Sequence, residues 1–150
     1  MLDFAAFLRE NTIWHEFVEK EDMRSAAQAA NVSGIPLDRI VKTLIFKIDG
    51  EFVIFMLQGS RTVDRRRIRA LLGKENIALA SHEEVLAITG YEVGAVPPIG
   101  LREKIPCIVD EPVSKFDTVW AGGGTKTRLV HLKVRDILQY HHPRVADISE

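Results

Sequence analysis

Two apolar segments separated by Asp49-Gly50 constrain the fold of this chain more than any other sequence feature. The segments, Ile40–Ile48 and Glu51–Gln58, are rich in the β-branched and aromatic residues that strands favour. An Asp-Gly pair between two such segments supplies the positive φ angles of a two-residue hairpin turn. The sequence therefore predicts an antiparallel β-hairpin over residues 40–58.

Shorter patterns predict the remaining elements. Helices are expected over residues 2–8, 23–30, 64–72, 81–90 and 134–140, with a brief helical turn after Pro36. Strands are expected over residues 13–18, 77–80, 105–109, 118–121 and 127–132, with 77–80 buried. Ser81 and Glu84 form a capping-box pattern, and Gly73 and Gly90 are typical helix stops. Hairpins interspersed with helices favour an α+β fold over a doubly wound parallel sheet.

Composition predicts one soluble domain over residues 1–150, because 46% hydrophobic residues are enough for a single core. The apolar runs are strand-sized, and the N-terminus lacks a signal-peptide pattern, so we expect a cytoplasmic protein without a membrane span. The single cysteine, Cys107, allows no internal disulfide and is predicted to be a buried hydrophobe. The five histidines lack metal-ligand spacing, so neither a metal nor a cofactor is expected.

Residues 89–100 form a loop whose backbone is strongly restricted. Glycines there permit positive φ angles and close approach, while Pro97 and Pro98 fix φ. Two interpretations are open at this stage. The loop is either a rigid connector that packs on the core through its apolar residues, or a wall that presents backbone amides and carbonyls to a ligand.

Lys42 interrupts an otherwise apolar face of the first hairpin strand. Period-two alternation places it on the same face as Leu44, Phe46 and Ile48. A lysine in this position either extends to solvent at the strand end, pairs with an acid, or lines a cleft in which an anionic ligand is its partner.

Basic residues are concentrated in one short segment although the net charge is only −1. The arginines of this segment are Arg61, Arg65, Arg66, Arg67 and Arg69, opposed locally only by Asp64. Such a cluster either holds a nucleic-acid backbone or is a solvated helix face whose arginines pair with neighbouring acids.

A second glycine cluster, Gly122 to Gly124, follows an apolar strand. It is not a Walker A loop, because Thr125 stands where glycine should precede the lysine, and the following residues alternate like a strand. The cluster is therefore either a hairpin connection with a bulge or a backbone nest beside a pocket. His131 points opposite to Leu132 and lies either on the surface or in a cavity.

Taken together, these residues resemble the YbaK/ProX family of aminoacyl-tRNA deacylases from residue 35 onward. The resemblance rests on Lys42-Thr43-Leu44, Thr89-Gly90-Tyr91, Gly94, Pro97, Pro98, Gly100, Val109-Asp110-Glu111, Gly122-Gly123 and Val145-Ala146-Asp147-Ile148. It implies a compact α+β domain with a curved, barrel-like mixed sheet flanked by helices. The same fold occurs as the editing insertion of bacterial prolyl-tRNA synthetases.

The resemblance also implies a function. The protein is expected to be a free-standing, metal-independent trans-editing deacylase that hydrolyses the ester of a mischarged tRNA, with tRNA and prolyl-tRNA synthetase as expected partners. Thr43 after the lysine is similar to cysteinyl-tRNA(Pro) deacylases, which favours cysteine or another small amino acid. The alternative is a non-catalytic adaptor of the same fold that binds tRNA, a nucleotide or a synthetase.

By resemblance, Lys42 is the pocket lysine, and Gly94 and Gly100 place backbone groups around the aminoacyl end. The residues expected to contact substrate are Thr43, Tyr91, Pro97, Pro98, Asp110, Gly122, Gly123 and His131. A role in tRNA binding also favours RNA contact by the arginines of residues 61–69. The segment after Gly123 departs from the family pattern, with Gly124-Thr125-Lys126-Thr127 in place of the usual basic residue and glycine.

Overall fold

An eight-stranded mixed sheet organises the protein, in a computed structural model that describes residues 2–150. The strands are β1 (His15–Glu19), β2 (Ile40–Ile48), β3 (Glu51–Gln58), β4 (Ile77–Leu79), β5 (Cys107–Asp110), β6 (Thr118–Gly122), β7 (Arg128–Lys133) and β8 (Arg144–Ala146). The helices are α1 (Phe4–Glu10), α2 (Ala26–Ser33), α3 (Arg65–Leu72), α4 (His82–Thr89), α5 (Glu111–Ser114) and α6 (Val134–His141), and a 3-10 turn covers Leu37–Arg39.

The strands lie in the order β1-β7-β6-β2-β3-β5-β8, and β4 pairs with residues 46–48 of β2, on the edge whose other end pairs with β6. Parallel pairs (β2 with β6, β3 with β5, β5 with β8) are combined with antiparallel ones, which confirms the predicted α+β class with a mixed sheet. The sheet does not close into a barrel, because β1 and β8 form separate edges. No helix within residues 2–150 is both long and apolar enough to cross a bilayer.

The predicted hairpin is confirmed at its predicted bounds. Strands β2 and β3 pair antiparallel from Val41 with Gln58 to Ile48 with Glu51. Asp49 and Gly50 adopt φ angles of 48° and 87°, as a two-residue turn of this type requires.

The predicted helix ends are also confirmed. Asp64 caps α3 by accepting from two backbone amides, and Gly73 ends it in the left-handed region at φ 63°. Ser81 and Glu84 form the capping box of α4, which Gly90 terminates. Because caps satisfy local backbone groups, a short sequence window is enough to recognise them.

Several elements differ from the predictions. The strand expected over residues 77–80 is short and largely exposed, with Leu79 58% accessible, because β4 pairs only with the end of β2. Helix α2 begins after its Ser25 cap, later than expected, and continues to Ser33, where Gly34 ends it as its glycine predicts. Helix α5 and strand β8 were not predicted, because their four and three residues are too few to show a period.

The apolar residues of β2 belong to two different sides of the sheet. Val41 and Ile45 point into the main core, together with Ile54 and Met56 of β3. On the opposite side, Ile40 packs against α2, and Phe46 packs against Ile68 of α3. Because side chains alternate along a strand, Lys42 and Leu44 lie on the same face of the sheet as Ile40 and Phe46. They lie between the end of β2 that α2 covers and the end that α3 covers.

Candidate active site at the gap beside β2

A gap in the sheet lies beside the middle of β2. Strand β6 pairs with β2 only at Ile40 and Val41, whereas β4 pairs with it from Phe46 onward. A cavity of about 260 Å³ opens at this gap. Its lining residues are Met23, Arg24, Ser25, Ala26, Ala29, Ile40, Val41, Lys42, Thr43, Leu44, Val93, Gly94, Val96, Gly122 and Leu129.

Lys42 brings a cation to this cavity. Its Nζ donates a hydrogen bond to the backbone carbonyl of Arg61, and among residues 2–150 its ammonium group forms no ion pair. Partial burial lowers the pKa of Lys42, because the charged form loses hydration without gaining an acidic neighbour. An ammonium group has three N–H donors, so two remain for a ligand.

The carbonyl that accepts from Lys42 is fixed by a network that reaches Asp110. Arg61 Nε donates to Ser149 Oγ at 3.2 Å, and Ser149 Oγ donates to Asp110 Oδ2 at 2.6 Å. The fully buried Asp110 also accepts from the backbone amide of Ile148 at 3.0 Å. Asp110 therefore does not line the cavity, but it is connected through Ser149 to the segment that holds the Lys42 ammonium.

The loop over residues 89–100 has both properties that the sequence analysis weighed as alternatives. Tyr91, Val96 and Ile99 are buried in the core, as in a packed connector. Val93, Gly94 and Val96 nevertheless line the cavity. Gly94 has a φ angle of 89°, and a Cβ there would lie 2.8 Å from the Arg24 carbonyl oxygen, so the close approach of the two segments requires glycine.

Several predicted substrate-contact residues of this loop point elsewhere. Gly100 packs against the Phe7 ring, where an added Cβ would come within 2.8 Å. Pro97 and Pro98 are buried, and the Pro98 carbonyl accepts from His141 Nε2 at 2.6 Å. The Tyr91 hydroxyl is buried without a hydrogen-bond partner in the described residues, and desolvation raises its pKa to about 12. These residues do not line the cavity but stabilise the loop that does.

The second glycine cluster joins β6 and β7 as a hairpin connection, which confirms that interpretation of the sequence. Gly123 donates to the Arg128 carbonyl at 2.9 Å within this connection. Gly122 lines the cavity, and a Cβ there would lie 2.6 Å from the Val96 carbonyl oxygen. The hairpin and the loop over residues 89–100 therefore pack closely against each other beside the cavity.

Thr43 follows Lys42 on β2 and also lines the cavity. Its Oγ1 is buried and has no hydrogen-bond partner within residues 2–150. Because a buried hydroxyl without a partner costs free energy, this group is suited to bind a water molecule or a polar ligand atom.

His131 lies away from the cavity. Its ring stacks on Trp120 at 4.4 Å between ring centroids, and its Nδ1 lies 3.0 Å from Glu16 Oε1. Cys107 is buried, and this burial raises the pKa of its thiol to about 12, so its predicted role as a small hydrophobe is confirmed.

Most arginines of residues 61–69 bind acceptors of the protein itself. Arg65 donates to the Ile77 carbonyl at 2.5 Å, Arg69 donates to the Glu75 carbonyl at 3.1 Å, and Arg67 pairs with Asp147 at 2.6 Å. The sequence showed the cluster but not these partners.

Sequence reasoning missed the contribution of α2 and the segment before it. Arg24 and Ser25 line the cavity beside Gly94, although only the Ser25 cap position was visible as a local pattern. The Met23 amide donates to the Lys126 carbonyl at 2.8 Å, and this contact between distant segments brings Arg24 to the cavity.

The arrangement favours chemistry on a carbonyl group next to an anion. Among the described residues that line the cavity, the charged side chains are Arg24 and Lys42, both cationic. Most of the remaining lining residues are aliphatic or other apolar residues, which exclude water without reacting. A half-buried ammonium group in such surroundings can polarise a carbonyl and stabilise an oxyanion.

Comparison with known proteins gives consistent results. The model of the aminoacyl-tRNA editing domain family matches residues 20–140. Proline–tRNA ligases of Staphylococcus aureus, including those of strains Newman and USA300, are 29% identical over 107 residues, or 71% of this chain. The chain spans only 19% of the length of these ligases.

Two solved structures are similar over nearly the whole chain. The crystal structure of a hypothetical protein has a TM-score of 0.86 and 29% identity, covering 97% of this chain and 98% of that one. The crystal structure of a candidate trans-editing enzyme for prolyl tRNA synthetase has a TM-score of 0.80 and 31% identity, covering 91% of this chain and 87% of that one.

Proposed function

Because the chain belongs to the family of aminoacyl-tRNA editing domains, we propose that it is a deacylase that hydrolyses the ester of a mischarged tRNA in trans. The observation that carries this proposal is the Lys42 ammonium group, which lies at a cavity walled by Gly94 and Gly122 and has no acidic partner within residues 2–150. Action in trans is supported by the similarity to the candidate trans-editing enzyme, since the match covers 87% of that enzyme's chain.

The proposed reaction needs no side-chain nucleophile. Water adds to the ester carbonyl, the bond between this carbon and the ribose oxygen breaks, and the products are a free amino acid and a tRNA with its terminal hydroxyl restored. An aminoacyl ester is already activated, so positioning and oxyanion stabilisation can provide the catalysis. Lys42 donates to the developing oxyanion, and the unpartnered Thr43 hydroxyl helps to orient the substrate or the water.

The cavity volume and the relatives favour a small amino acid on tRNA(Pro). A space of about 260 Å³ must hold the aminoacyl group and part of the terminal ribose. The matched ligases and the candidate trans-editing enzyme are both associated with proline. Cysteine is the first candidate because Thr43 follows Lys42. Since lysine and backbone groups supply the chemistry, we propose that the reaction is metal-independent.

The test is hydrolysis of a panel of mischarged tRNAs that includes cysteinyl- and alanyl-tRNA(Pro). We expect at least one small-amino-acid ester to be cleaved well above background, with EDTA present. Lys42→Ala should reduce the rate about a hundredfold or more, as for loss of an oxyanion donor. Lys47→Ala is the matched control, since Lys47 lies on the same strand but its side chain is exposed and pairs with Glu84.

The adaptor hypothesis predicts a different result in the same experiment. A non-catalytic protein would leave every ester intact while still binding tRNA or a synthetase. Cleavage that persists unchanged in Lys42→Ala would also contradict the proposed role of this lysine.

A further inference from the structure

Arg24 is the second cation at the cavity, and it lies at the rim. Its side chain is 60% exposed and forms a bidentate pair with Asp22. Arg24 Nε donates to Asp22 Oδ1 and Nη2 donates to Asp22 Oδ2, both at 2.9 Å. Asp22 thus occupies one edge of the guanidinium plane.

The pairing leaves the other edge of the guanidinium free for a ligand. Arginine has five N–H donors, and two of them bind Asp22, so both N–H groups of Nη1 and one of Nη2 remain. The remaining donors form a second planar fork, which matches two oxygens of a phosphate group.

Three contacts fix the backbone at Arg24 and its two neighbours. The amide of Met23 donates to the Lys126 carbonyl, and the Arg24 carbonyl packs against Gly94. Ser25 then caps α2 by accepting from the Gln28 amide at 3.1 Å. Together with Asp22, these contacts hold the guanidinium at the rim before any ligand binds, which reduces the entropy lost on binding.

The two cations of the cavity differ in the ligand groups they suit. Lys42 is half-buried and has no acidic partner within residues 2–150, so it favours a group whose charge develops during the reaction. Arg24 is exposed and permanently charged, so it favours an anion that keeps part of its hydration.

We infer that Arg24, ordered by Asp22, forms a phosphate subsite that binds the 5′-phosphate of the terminal nucleotide of the RNA. This inference rests on the proposed function, and it assigns the phosphate to Arg24 and the ester carbonyl to Lys42. Because Asp22 offsets part of the guanidinium charge, the subsite contributes a moderate factor in affinity, about tenfold.

A binding titration tests the subsite without requiring catalysis. Adenosine 5′-monophosphate and adenosine are titrated into wild-type protein and followed by NMR chemical shifts. We expect the monophosphate to bind about tenfold more tightly than adenosine, and Arg24→Ala to remove this difference. Arg24→Lys should keep part of it, since it retains the charge without the fork. Equal affinity of the two ligands for wild type would overturn the inference.

Kinetics with truncated substrates provide a second test. The substrates are the preferred amino acid esterified to adenosine with and without its 5′-phosphate. Arg24→Ala should raise KM about tenfold for the phosphorylated ester only, with kcat within about twofold. Arg144→Ala is the control, because Arg144 is exposed on edge strand β8, outside the cavity.

The outcomes separate this inference from the proposed function. If Arg24→Ala weakens both substrates equally, or neither, the phosphate subsite is wrong while the deacylase function stands. If wild type cleaves no ester, the proposed function fails, and the titration alone decides whether Arg24 binds phosphate. Unchanged thermal unfolding of Arg24→Ala shows that its effects do not come from misfolding.

Discussion

The cavity and α3 both present cations, but the two regions use them differently. At the cavity, Lys42 has two N–H donors and Arg24 has three that the structure leaves free. Around α3, Arg65, Arg67 and Arg69 each donate to a carbonyl or carboxylate of the protein. Lys42 and Arg24 line a cavity, whereas Arg65, Arg67 and Arg69 do not, so position at a cavity indicates a ligand site better than the density of charge along the sequence does.

The two regions are also connected. The Arg61 carbonyl accepts from Lys42, while the Arg61 side chain donates to Ser149, which donates to Asp110. One residue of the arginine segment therefore positions the lysine of the cavity. The predictions that follow separate the two regions and this connection between them.

The largest expected effect concerns the protonation of Lys42. Burial lowers the pKa of this lysine below its ordinary value of 10.5, so the ammonium form is lost earlier than usual as pH rises. We expect the enzyme-catalysed rate, corrected for spontaneous hydrolysis, to fall as pH rises through this pKa. The total decrease should be about a hundredfold, the same as the decrease expected for Lys42→Ala. The check is a pH–rate profile of wild type beside Lys42→Arg. An alkaline decline that persists in this variant would assign it to another group.

The same pKa has a consequence for stability, with a definite sign. Between the lowered pKa of folded Lys42 and its ordinary value, the unfolded chain binds more protons than the folded one. The contribution of Lys42 to the free energy of unfolding therefore rises with pH in this range. Denaturant titrations of wild type and Lys42→Met across this range should diverge accordingly, and parallel curves would contradict the assignment.

The next largest effect concerns the connection through Asp110. Asp110→Ala leaves the Ser149 hydroxyl and the Ile148 amide without their acceptor in a buried site, which should lower the free energy of unfolding by about 3 kcal/mol. Chemical denaturation measures this loss. Asp117→Ala, at an exposed position, is the control and should change stability by less than about 0.5 kcal/mol.

A smaller effect is expected within α3. Arg67→Ala removes the contacts to Asp147 and the Ser149 carbonyl and should cost about 1 kcal/mol of stability, since the side chain is 47% exposed. Arg66→Ala is the control on the same helix and should be neutral in stability. Equal stability of the two variants would mean that the Arg67 contacts contribute nothing in solution.

The smallest effect concerns RNA binding by the arginine segment. Arg66 is exposed, and we predict that it contacts an RNA phosphate. Arg66→Ala should then reduce the slope of log affinity against log salt by about 0.7 to 0.9. Gel-shift titrations at several salt concentrations measure this slope. An unchanged slope, also after combined replacement of Arg65, Arg66 and Arg67, would remove the segment from the RNA surface.

The sequence predicted the elements that are determined locally. The Asp49-Gly50 turn, the Ser81 and Glu84 capping box and the Gly73 stop each depend on groups a few residues apart. The short β8 was not predicted, because a three-residue strand exists only through its pairing with β5.

The candidate site was predictable only in part, for a related reason. Lys42 was found because a lysine breaks the period of an apolar strand face, and residues 89–100 because their glycines and prolines restrict the backbone. The sequence could not show whether these features meet at one cavity. It also gave no sign of Arg24, whose place depends on a hydrogen bond from Met23 to Lys126.

The sequence by itself therefore determined the hairpin, the caps, the fold class and the lysine, since these depend on short-range geometry and periodicity. Only the tertiary structure decided which cations line a cavity. It placed arginines around α3 beside carbonyls and carboxylates from elsewhere in the chain, and it brought Lys42 and Arg24 to a cavity at a gap in the sheet. The physical reason is that a cavity forms where segments far apart in sequence meet, and local periodicity and turn patterns carry no information about that meeting.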